Sequence, residues 1–310
     1  MTIASILFAA GRGRRLRPLT DSIPKPALPL LDVPLGAFAL ARLGPAAAPT
    51  AVNVSHLGKA VIAALQSYGD FEPLWERPEG YGTAGTLLAQ MDRLSETVVT
   101  MNSDSLLDLD PGVVLEAHGN SNSAGTIAVR PVTSHADVQI EDDLVTRFVD
   151  RRNEPDVRGH QFVGVAVFEK RALPGLPLSI PGGLGEQVLA PLTERRALRA
   201  YVHDGYFLDV GTVDRYLLAN LDVLMGRGPA LPGPLPGRVV EVDGGRAYLG
   251  PKTSVSTQSL GAGAVVLAGA SIDPDARITS SVVLPGENVP AIHLADAVWH
   301  DGVALPARPS

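Results

Sequence analysis

The stretch that decides the fold is residues 7–29, LFAAGRGRRLRPLTDSIPKPALP. Its apolar start is typical of a buried strand, and Gly11 and Gly13 then allow a tight turn whose backbone amides can approach a phosphate without a Cβ clash. Arginines fill most of residues 12–17, and Lys25 stands between two prolines that fix its direction. The stretch therefore predicts a strand followed by a phosphate-binding loop. It lacks the third glycine of GxGxxG and the GK[ST] of a Walker loop.

On either side of this loop, from residue 3 to about residue 225, short apolar runs alternate with amphipathic stretches. This alternation is typical of an α/β fold with a mostly parallel sheet covered by helices. The predicted strands are Ile3–Ala9, Ala51–Ser55, Glu72–Trp75, Thr97–Met101, Gly125–Arg130 and Phe162–Phe168. The predicted helices are Leu57–Ser67, Thr83–Leu94, Pro111–Gly119 and Thr212–Met225.

The pattern changes after residue 226. Residues 227–237 are so rich in proline and glycine that neither a helix nor a central strand can run through them, which predicts a linker between a domain of residues 1–226 and one of residues 238–310. Beyond the linker, aliphatic residues recur every six positions: Leu260, Val266, Ile272, Ile278 and Leu284. One inward aliphatic per hexad is typical of a short left-handed parallel β-helix, here of about two coils.

Composition excludes several classes of function. The 310 residues contain no cysteine, which rules out disulfides, thiolate metal sites and a cysteine nucleophile and is consistent with a cytoplasmic location. The formal net charge of -7 argues against a nucleic-acid partner. No apolar run approaches the roughly 20 residues that a membrane span needs, so we expect no membrane partner.

The loop resembles the signature GxGxRLxPLTxxxPKP of the sugar-1-phosphate nucleotidylyltransferases, also called nucleotide-sugar pyrophosphorylases. The similarity continues through GYGTAGTL at 80–87, NSD at 102–104, FVGVAVF at 162–168 and LDVGTVDRY at 208–216. It implies a Rossmann-like three-layer nucleotidyltransferase domain, followed in many members by a hexapeptide β-helix. It also implies transfer of a nucleoside monophosphate from a nucleoside triphosphate to a sugar 1-phosphate, with release of pyrophosphate and with Mg²⁺ as cofactor.

The resemblance also implies roles for particular residues. Asp104 and Asp209 each follow a short apolar run, and carboxylate oxygens at such strand ends suit magnesium; in the family, aspartates at these positions hold the metal. The implied catalytic residues are Arg15, Lys25 and Asp104. The implied nucleotide-binding residues are Ala10, Gly11, Gly13, Glu79, Gly82 and Thr83. The implied sugar-phosphate-binding residues are Gly164, Arg151 and Glu186.

The sequence departs from the family pattern at three places. Ser103 replaces a usual glycine, and Arg151 lies where many relatives have a lysine that binds the sugar phosphate. Phe162 replaces an asparagine that hydrogen-bonds the sugar, which predicts an acceptor ring unlike glucose. The alternatives are a mannose, heptose or muramic acid derivative and a cyclitol phosphate.

The form GTAG resembles the mannose-1-phosphate guanylyltransferase branch, which favours GTP over UTP or dTTP, and Glu76 or Glu79 is a candidate acceptor for a guanine edge. Two alternatives to this enzyme remain. One is a catalytically inactive regulator that binds nucleotide-sugars. The other, an additional acyltransferase site in the repeat that would make the protein bifunctional, is disfavoured. Two coils are too few to build an acyl-coenzyme A cleft between stacked subunits, and His293 and His300 are expected in an irregular tail. The repeat is instead expected to mediate self-association, giving a homo-oligomer, or to pack on the catalytic domain.

Overall fold

The apolar run at the start of the chain forms strand Ile3–Phe8, of which only Ala4 is not fully buried. In this computed structural model, which describes residues 2–307, the strands are β1 Ile3–Phe8, β2 Pro29–Leu30, β3 Val33–Pro34, β4 Thr50–Val54, β5 Glu72–Trp75, β6 Leu94–Asn102, β7 Ser105–Leu107, β8 Gly125–Val132, β9 Val138–Glu141, β10 Leu144–Phe148, β11 Gly159–Glu169, β12 Leu198–Val202, β13 Phe207–Asp209, β14 Arg238–Val242, β15 Gly245–Leu249, β16 Ala264–Val266, β17 Ser271–Ile272, β18 Arg277–Thr279, β19 Ser281–Val283, β20 Asn288–Val289, β21 His293–Ala295, β22 Ala297–His300 and β23 Val303–Pro306. The α-helices are α1 Leu19–Ser22, α2 Leu35–Ala46, α3 Gly58–Leu65, α4 Thr83–Ala89, α5 Pro111–Gly119, α6 Ala190–Glu194 and α7 Val213–Leu224.

Each of the predicted strands and helices has a counterpart. Helix α5 has the predicted bounds, and Asp110 is its N-cap, with the Gly112 N–H donating to its Oδ1 at 2.8 Å. Helix α4 is shorter than predicted, since it ends at Ala89 and a separate 3-10 turn follows. Helix α2 is missing from the predictions because Arg42 is the one charged residue in its sequence, LGAFALARLGPA, which therefore shows no regular polar face. Within residues 2–307 no helix is long and apolar enough to cross a membrane.

The structure divides into two units. The first unit comprises the described residues up to Gly11, together with Ala39–Ser103 and Leu109–Gly205. The second unit comprises Arg12–Phe38, Asp104–Asp108 and the described residues from Tyr206 onward. The predicted domain boundary at residue 226 stays a prediction.

The first unit is built on a nine-stranded sheet of order β5-β4-β1-β6-β11-β8-β12-β10-β9. Strands β5, β4, β1 and β6 pair in parallel, whereas β11 is antiparallel to both of its main neighbours. The prediction of a mostly parallel sheet is therefore wrong beyond β6, where the sheet is mixed. Part of the antiparallel pairing comes from the hairpin β9–β10, because two strands joined by a short connection can pair only antiparallel.

The second unit contains small paired strands and a parallel repeat. Strand β7 pairs antiparallel with β13, so that Ser105 lies opposite Asp209. In the repeat, defined here as residues 245–300, strands β15, β16, β19 and β22 form one parallel ladder. Two further parallel ladders are formed by β17 with β20 and by β18 with β21.

The hexad aliphatics of the repeat are buried, as predicted: Leu260, Val266, Ile272, Ile278 and Leu284. The repeat extends beyond two coils, because Trp299 in β22 continues the ladder after Val283. The sequence pattern missed this extension because the strict six-residue period ends at Ile278: the strand register places Val283, and not Leu284, opposite Val266. The core residues that follow Ile278 are Val283, Val289, Leu294 and Trp299, at spacings of five, six, five and five. The expectation that His293 and His300 lie in an irregular tail is wrong, since they belong to β21 and β22. The left hand of the repeat stays a prediction.

Candidate active site

The predicted phosphate-binding loop begins in the first unit, where β1 ends. The side chain of Asn53 on β4 accepts hydrogen bonds from the N–H groups of Ala9, at 2.6 Å, and Ala10, at 3.2 Å. Asn53 reaches them because β4 is parallel to β1 and Asn53 pairs with Phe8. The Ala10 N–H, predicted to contact the nucleotide, is thus bonded within the protein. Asn53 sets the direction in which the chain leaves β1.

A carboxylate completes this network, and sequence reasoning misjudged it. Glu76 is only 3% exposed, and its Oε1 accepts from Asn53 Nδ2 at 2.9 Å and from Thr86 Oγ1 at 2.5 Å. Its Oε2 accepts from the Tyr81 N–H at 2.6 Å. The sequence predicted Glu76 or Glu79 as an acceptor for a guanine edge, but both oxygens of Glu76 already accept from these protein donors. The Glu76 N–H continues the β4–β5 pairing by donating to the Val54 carbonyl. The position of Glu76 directly after strand β5 was the sequence signal that could have predicted its burial.

The segment after Glu76 carries the remaining residues predicted to bind nucleotide. Gly82 has φ 74°, and a Cβ there would clash with the Gly182 carbonyl oxygen. Thr83 Oγ1 accepts from the Leu184 N–H at 2.8 Å, and the Gly182 N–H donates to the Tyr81 carbonyl at 2.8 Å. The glycine is therefore required by close backbone packing. Glu79 is exposed in the same segment.

The residues predicted to bind the sugar phosphate also lie in the first unit. Gly164 has φ 86°, and a Cβ there would lie 2.8 Å from Asn102 Nδ2. Arg151 Nη2 lies 2.9 Å from Asp137 Oδ2, while the other oxygen of Asp137 accepts from the Phe162 N–H at 2.8 Å. Burial raises the pKa of the Asp137 carboxyl, and these partners oppose the rise. Glu186 is exposed, in a single π-helical turn Gly185–Leu189.

Two of the departures from the family pattern have local structural explanations. Ser103 is 1% exposed, and its hydroxyl donates to the Phe8 carbonyl at 2.7 Å, so a serine is compatible with this backbone. Phe162 is partly buried against the hydrophobic core of the first unit. This packing gives the aromatic ring a role in folding that the prediction of a sugar contact did not consider.

In the second unit, the turn at Gly13 packs against the side chain of Lys25. Gly13 is left-handed, with φ 61°, and its carbonyl accepts from Thr20 Oγ1 at 2.9 Å. A Cβ on Gly13 would lie 3.0 Å from Thr20 Cγ2 and 3.2 Å from Lys25 Cβ. Only glycine fits this turn without displacing the lysine stem.

Lys25 joins the two aspartates predicted to hold metal. It is 6% exposed, and its Nζ lies 2.9 Å from Asp104 Oδ2 and 3.7 Å from Asp209 Oδ1. The aspartates come together because β7 pairs with β13, and because the Val210 N–H donates to the Asp104 carbonyl at 3.2 Å. Arg15 Nη2 lies 3.8 Å from Asp209 Oδ2. We call these four residues the cationic–acidic cluster.

The donor set of this cluster fits a divalent cation. Both aspartate side chains are partly exposed, at 41% for Asp104 and 44% for Asp209, so carboxylate oxygens are accessible to a ligand. Hard oxygen donors with room for water and phosphate oxygens are what Mg²⁺ prefers. Arg15 lies against Gly211, where an added Cβ would be 2.8 Å from Nη2. The chain thus places two cationic side chains and two carboxylates side by side.

A further cluster of metal-ligand types lies at the end of the repeat, where Glu287 accepts from the turn after β22, while neither ring nitrogen of the buried His300 has a hydrogen-bond partner among the described residues. Among residues 2–307, Glu287, His300 and Asp301 each offer a ligand atom within 4.8 Å of the others. Glu287 Oε1 lies 3.3 Å from His300 Nδ1 and accepts from the Asp301 N–H at 2.9 Å. The hydrogen bond to Glu287 stabilises the left-handed turn at Asp301 and Gly302, directly after β22.

Comparison of the fold with solved structures gives the class of protein first. The chain superposes on a candidate glucose-1-phosphate thymidylyltransferase from Bacillus anthracis, solved with sucrose, with a TM-score of 0.61 at 18% identity over 76% of this chain and 98% of that chain. The fold is that of the nucleotidyltransferases.

Sequence comparison then gives the family. A model described as nucleotidyl transferase matches residues 4–226. A mannose-1-phosphate guanylyltransferase of Mycobacterium tuberculosis is 26% identical over 304 residues, covering 93% of this chain and 82% of the relative. An N-acetylmuramate alpha-1-phosphate uridylyltransferase of Neisseria meningitidis serogroup B is 28% identical over 227 residues, covering 68% of this chain and 94% of the relative. The chain belongs to the nucleotidyl transferase family, among the sugar-1-phosphate nucleotidyltransferases, as the resemblance predicted.

Proposed function

We propose that this protein transfers a nucleoside monophosphate, with GTP as the favoured donor, to a sugar 1-phosphate. The observation that carries the proposal is the cationic–acidic cluster, in which buried Lys25 faces both Asp104 and Asp209. A metal-binding carboxylate pair beside a lysine and an arginine suits a reaction between two phosphates, whose mutual repulsion must be neutralised.

The proposed reaction requires little proton transfer by the protein, because the attacking sugar phosphate is already anionic. An anionic oxygen of the sugar phosphate attacks the α-phosphorus in line, a new P–O bond forms, and the bond from the α-phosphorus to the bridging oxygen breaks to release pyrophosphate. Arg15 is proposed to hold the β- and γ-phosphates, and Lys25 the α-phosphate, where charge develops. Bound Mg²⁺ would neutralise phosphate charge, held by Asp104 and Asp209. The backbone of Gly11 and Gly13 orients the triphosphate.

The groups that recognise the substrates are also proposals. Glu79, Gly82 and Thr83 are assigned to the nucleoside, with the exposed carboxylate of Glu79 accepting from the guanine edge. Arg151, Gly164 and Glu186 are assigned to the sugar phosphate. The ion pair with Asp137 supports the role of Arg151, because it fixes the direction of the guanidinium. The carbonyl of Ala10 remains as a nucleotide contact, since its N–H bonds to Asn53.

The choice of GTP is supported by the guanylyltransferase relative, whose match extends over 93% of this chain, compared with 68% for the uridylyltransferase relative. We also propose a catalytic domain of residues 1–226, a linker 227–237 and a left-handed β-helical domain 238–310. The end of the family match at residue 226 and the three parallel ladders of the repeat support this division.

The test is pyrophosphate release with Mg²⁺ across four nucleoside triphosphates and a panel of sugar 1-phosphates, including mannose 1-phosphate, N-acetylmuramate 1-phosphate and a cyclitol phosphate. We expect GTP to support turnover with one acceptor, and Asp104→Asn to abolish it. Asp108→Asn is the matched control, because Asp108 is an exposed aspartate of the same short segment. Preference for UTP or dTTP would refute the choice of base. Nucleotide-sugar binding without turnover by any pair would favour the regulator.

A further inference from the structure

The hairpin that follows Lys25 has a turn that its own sequence does not favour. Strands β2 and β3 pair Leu30 with Val33, which leaves Leu31 and Asp32 as the two turn residues. Both are left-handed, with φ 48° and 63°. Two-residue turns of this kind normally carry Asn-Gly or Asp-Gly, since leucine is strained there. The hairpin must therefore be held by contacts from elsewhere in the chain.

Those contacts come from within the second unit. Asp32 Oδ2 accepts from the Tyr248 hydroxyl at 3.0 Å, and Asp32 Oδ1 accepts from the Ala268 N–H at 2.9 Å. The Tyr248 hydroxyl in turn accepts from the N–H of Gly237, the last residue of the proline- and glycine-rich linker, at 2.9 Å. We call Asp32, Tyr248 and Ala268 the anchor.

The anchor is built tightly. Tyr248 is fully buried, so its hydroxyl has no water to replace a lost partner. A Cβ on Gly250 would clash with Asp32 Oδ2, which shows how closely the carboxylate sits against the repeat. Helix α7 adds two bonds to the same hairpin, from Tyr216 Oη to the Pro29 carbonyl at 2.6 Å and from the Leu31 N–H to Asn220 Oδ1 at 3.2 Å.

Between the hairpin and Lys25 the chain has little freedom. Lys25–Ala27 is a 3-10 turn with prolines at 24 and 26. The Leu28 N–H donates to the Lys25 carbonyl at 3.1 Å, and the Leu35 N–H donates to the Leu28 carbonyl at 2.9 Å, which joins the two ends of the hairpin. A displacement of the hairpin is therefore passed to Lys25.

We propose that the C-terminal repeat positions Lys25 by holding the hairpin through the anchor, which makes Asp32 and Tyr248 positioning residues for the reaction. This inference rests on the proposed function for its kinetic consequence. It gives the repeat a role inside each chain, and it adds a kinetic consequence to the two alternatives predicted from the sequence, self-association or packing on the catalytic domain.

The experiment uses the full chain with Tyr248→Phe, which removes one hydroxyl and leaves the ring. We expect kcat to fall roughly tenfold, as a small misplacement of a group that acts in the transition state would cause, with KM for the nucleotide changing less. Trp299→Phe is the matched control, because it also removes a hydrogen bond of a buried aromatic in the repeat, from Nε1 to the Asn288 carbonyl. It should lower Tm and leave kcat unchanged.

A mutant cycle separates positioning from a general loss of stability. In a Lys25→Gln background, Tyr248→Phe should lower kcat no further, although it still lowers Tm. An undiminished further fall in kcat in that background, or an unchanged kcat in the single variant, would overturn the proposal.

Amide hydrogen exchange tests the same inference without any turnover. Tyr248→Phe should speed exchange in residues 25–35 relative to wild type and Trp299→Phe, and unchanged exchange there would refute the anchor. If exchange changes as expected but the wild type turns over no substrate, the proposed function fails while the mechanical link stands.

Discussion

Two groups of carboxylates in this molecule are bonded in opposite ways. Glu76, in the first unit, is buried and accepts from neutral donors, namely an amide, a hydroxyl and a backbone N–H. Asp104 and Asp209, in the second unit, are partly exposed and face the cations Lys25 and Arg15.

The difference separates structure from chemistry. The Glu76 oxygens have three donors and almost no solvent access, so this carboxylate stabilises the fold and the loop that starts at β1. The aspartates retain accessible oxygens, and their cations can exchange a carboxylate for a phosphate. The comparison predicts that changes in the first group affect stability, whereas changes in the second affect turnover.

The largest expected effect is that of Lys25→Met. In the proposed reaction the buried ammonium stabilises the charge that develops in the transition state, so removing it should lower kcat by about a thousandfold. Lys25→Arg should restore little, because a planar guanidinium does not fit a site that is 6% exposed. Lys59→Met, at an exposed lysine of α3, is the control. A decrease below tenfold in steady-state pyrophosphate release would place Lys25 outside the reaction.

Glu76→Ala should act mainly on stability. It removes the acceptor of the Tyr81 N–H, and it removes one of two acceptors of the Asn53 amide and of the Thr86 hydroxyl, which keep Thr86 Oγ1 and the Gly82 carbonyl. The loss should lower the free energy of unfolding by about 2 kcal/mol. The measurement is urea denaturation followed by circular dichroism. Glu79→Ala changes the same residue type at an exposed position and should cost less than about 0.5 kcal/mol.

The Glu79 variant also has a kinetic readout. If Glu79 binds the guanine edge, its loss should raise KM for GTP. The comparison fails if Glu76→Ala leaves the protein as stable as Glu79→Ala does.

The sequence was sufficient for the elements with strong local patterns. The glycine loop, the prolines around Lys25 and the hexads are readable because glycine, proline and a fixed period restrict the backbone directly. The roles of Glu76 and Asp32 could not be predicted from the sequence, because their partners include residues 23 and 236 positions away along the chain. The pairing of β7 with β13, which joins Asp104 to Asp209, is equally non-local. The antiparallel insertion of β11 was missed because an apolar run does not specify strand direction.

Gly211→Ala tests the role of Arg15 in the cationic–acidic cluster. Its methyl group would meet the end of the Arg15 side chain at 2.8 Å, and a flexible guanidinium can move aside at small cost in stability. We expect KM for the triphosphate to rise severalfold, on the order of 1 kcal/mol of binding, with Tm nearly unchanged. Gly183→Ala is the control, since nothing lies within 4 Å of its added Cβ. An unchanged KM would mean that Arg15 does not hold the triphosphate.

The smallest effect concerns Asp32, a carboxylate that resembles Glu76 in accepting from neutral donors. Burial raises the pKa of the Asp32 carboxyl above its ordinary value of 3.8. The folded state therefore keeps this proton to a higher pH than the unfolded state does, so the contribution of Asp32 is fully present below pH 3.8 and is lost as the pH rises through the folded pKa. Asp32→Asn has no such proton to lose. Whatever the baseline stability of the variant, wild type should lose stability relative to it as the pH rises from about 4 to 7, measured by urea denaturation at each pH.

Asp150→Asn is the control of opposite sign, because the N–H of Arg152 lowers the pKa of Asp150. Its difference from wild type should be flat above about pH 5, where both folded and unfolded states are ionised. A flat difference for Asp32 as well would show that its carboxylate is solvated as freely as an exposed one, and would remove it from the group that Glu76 defines.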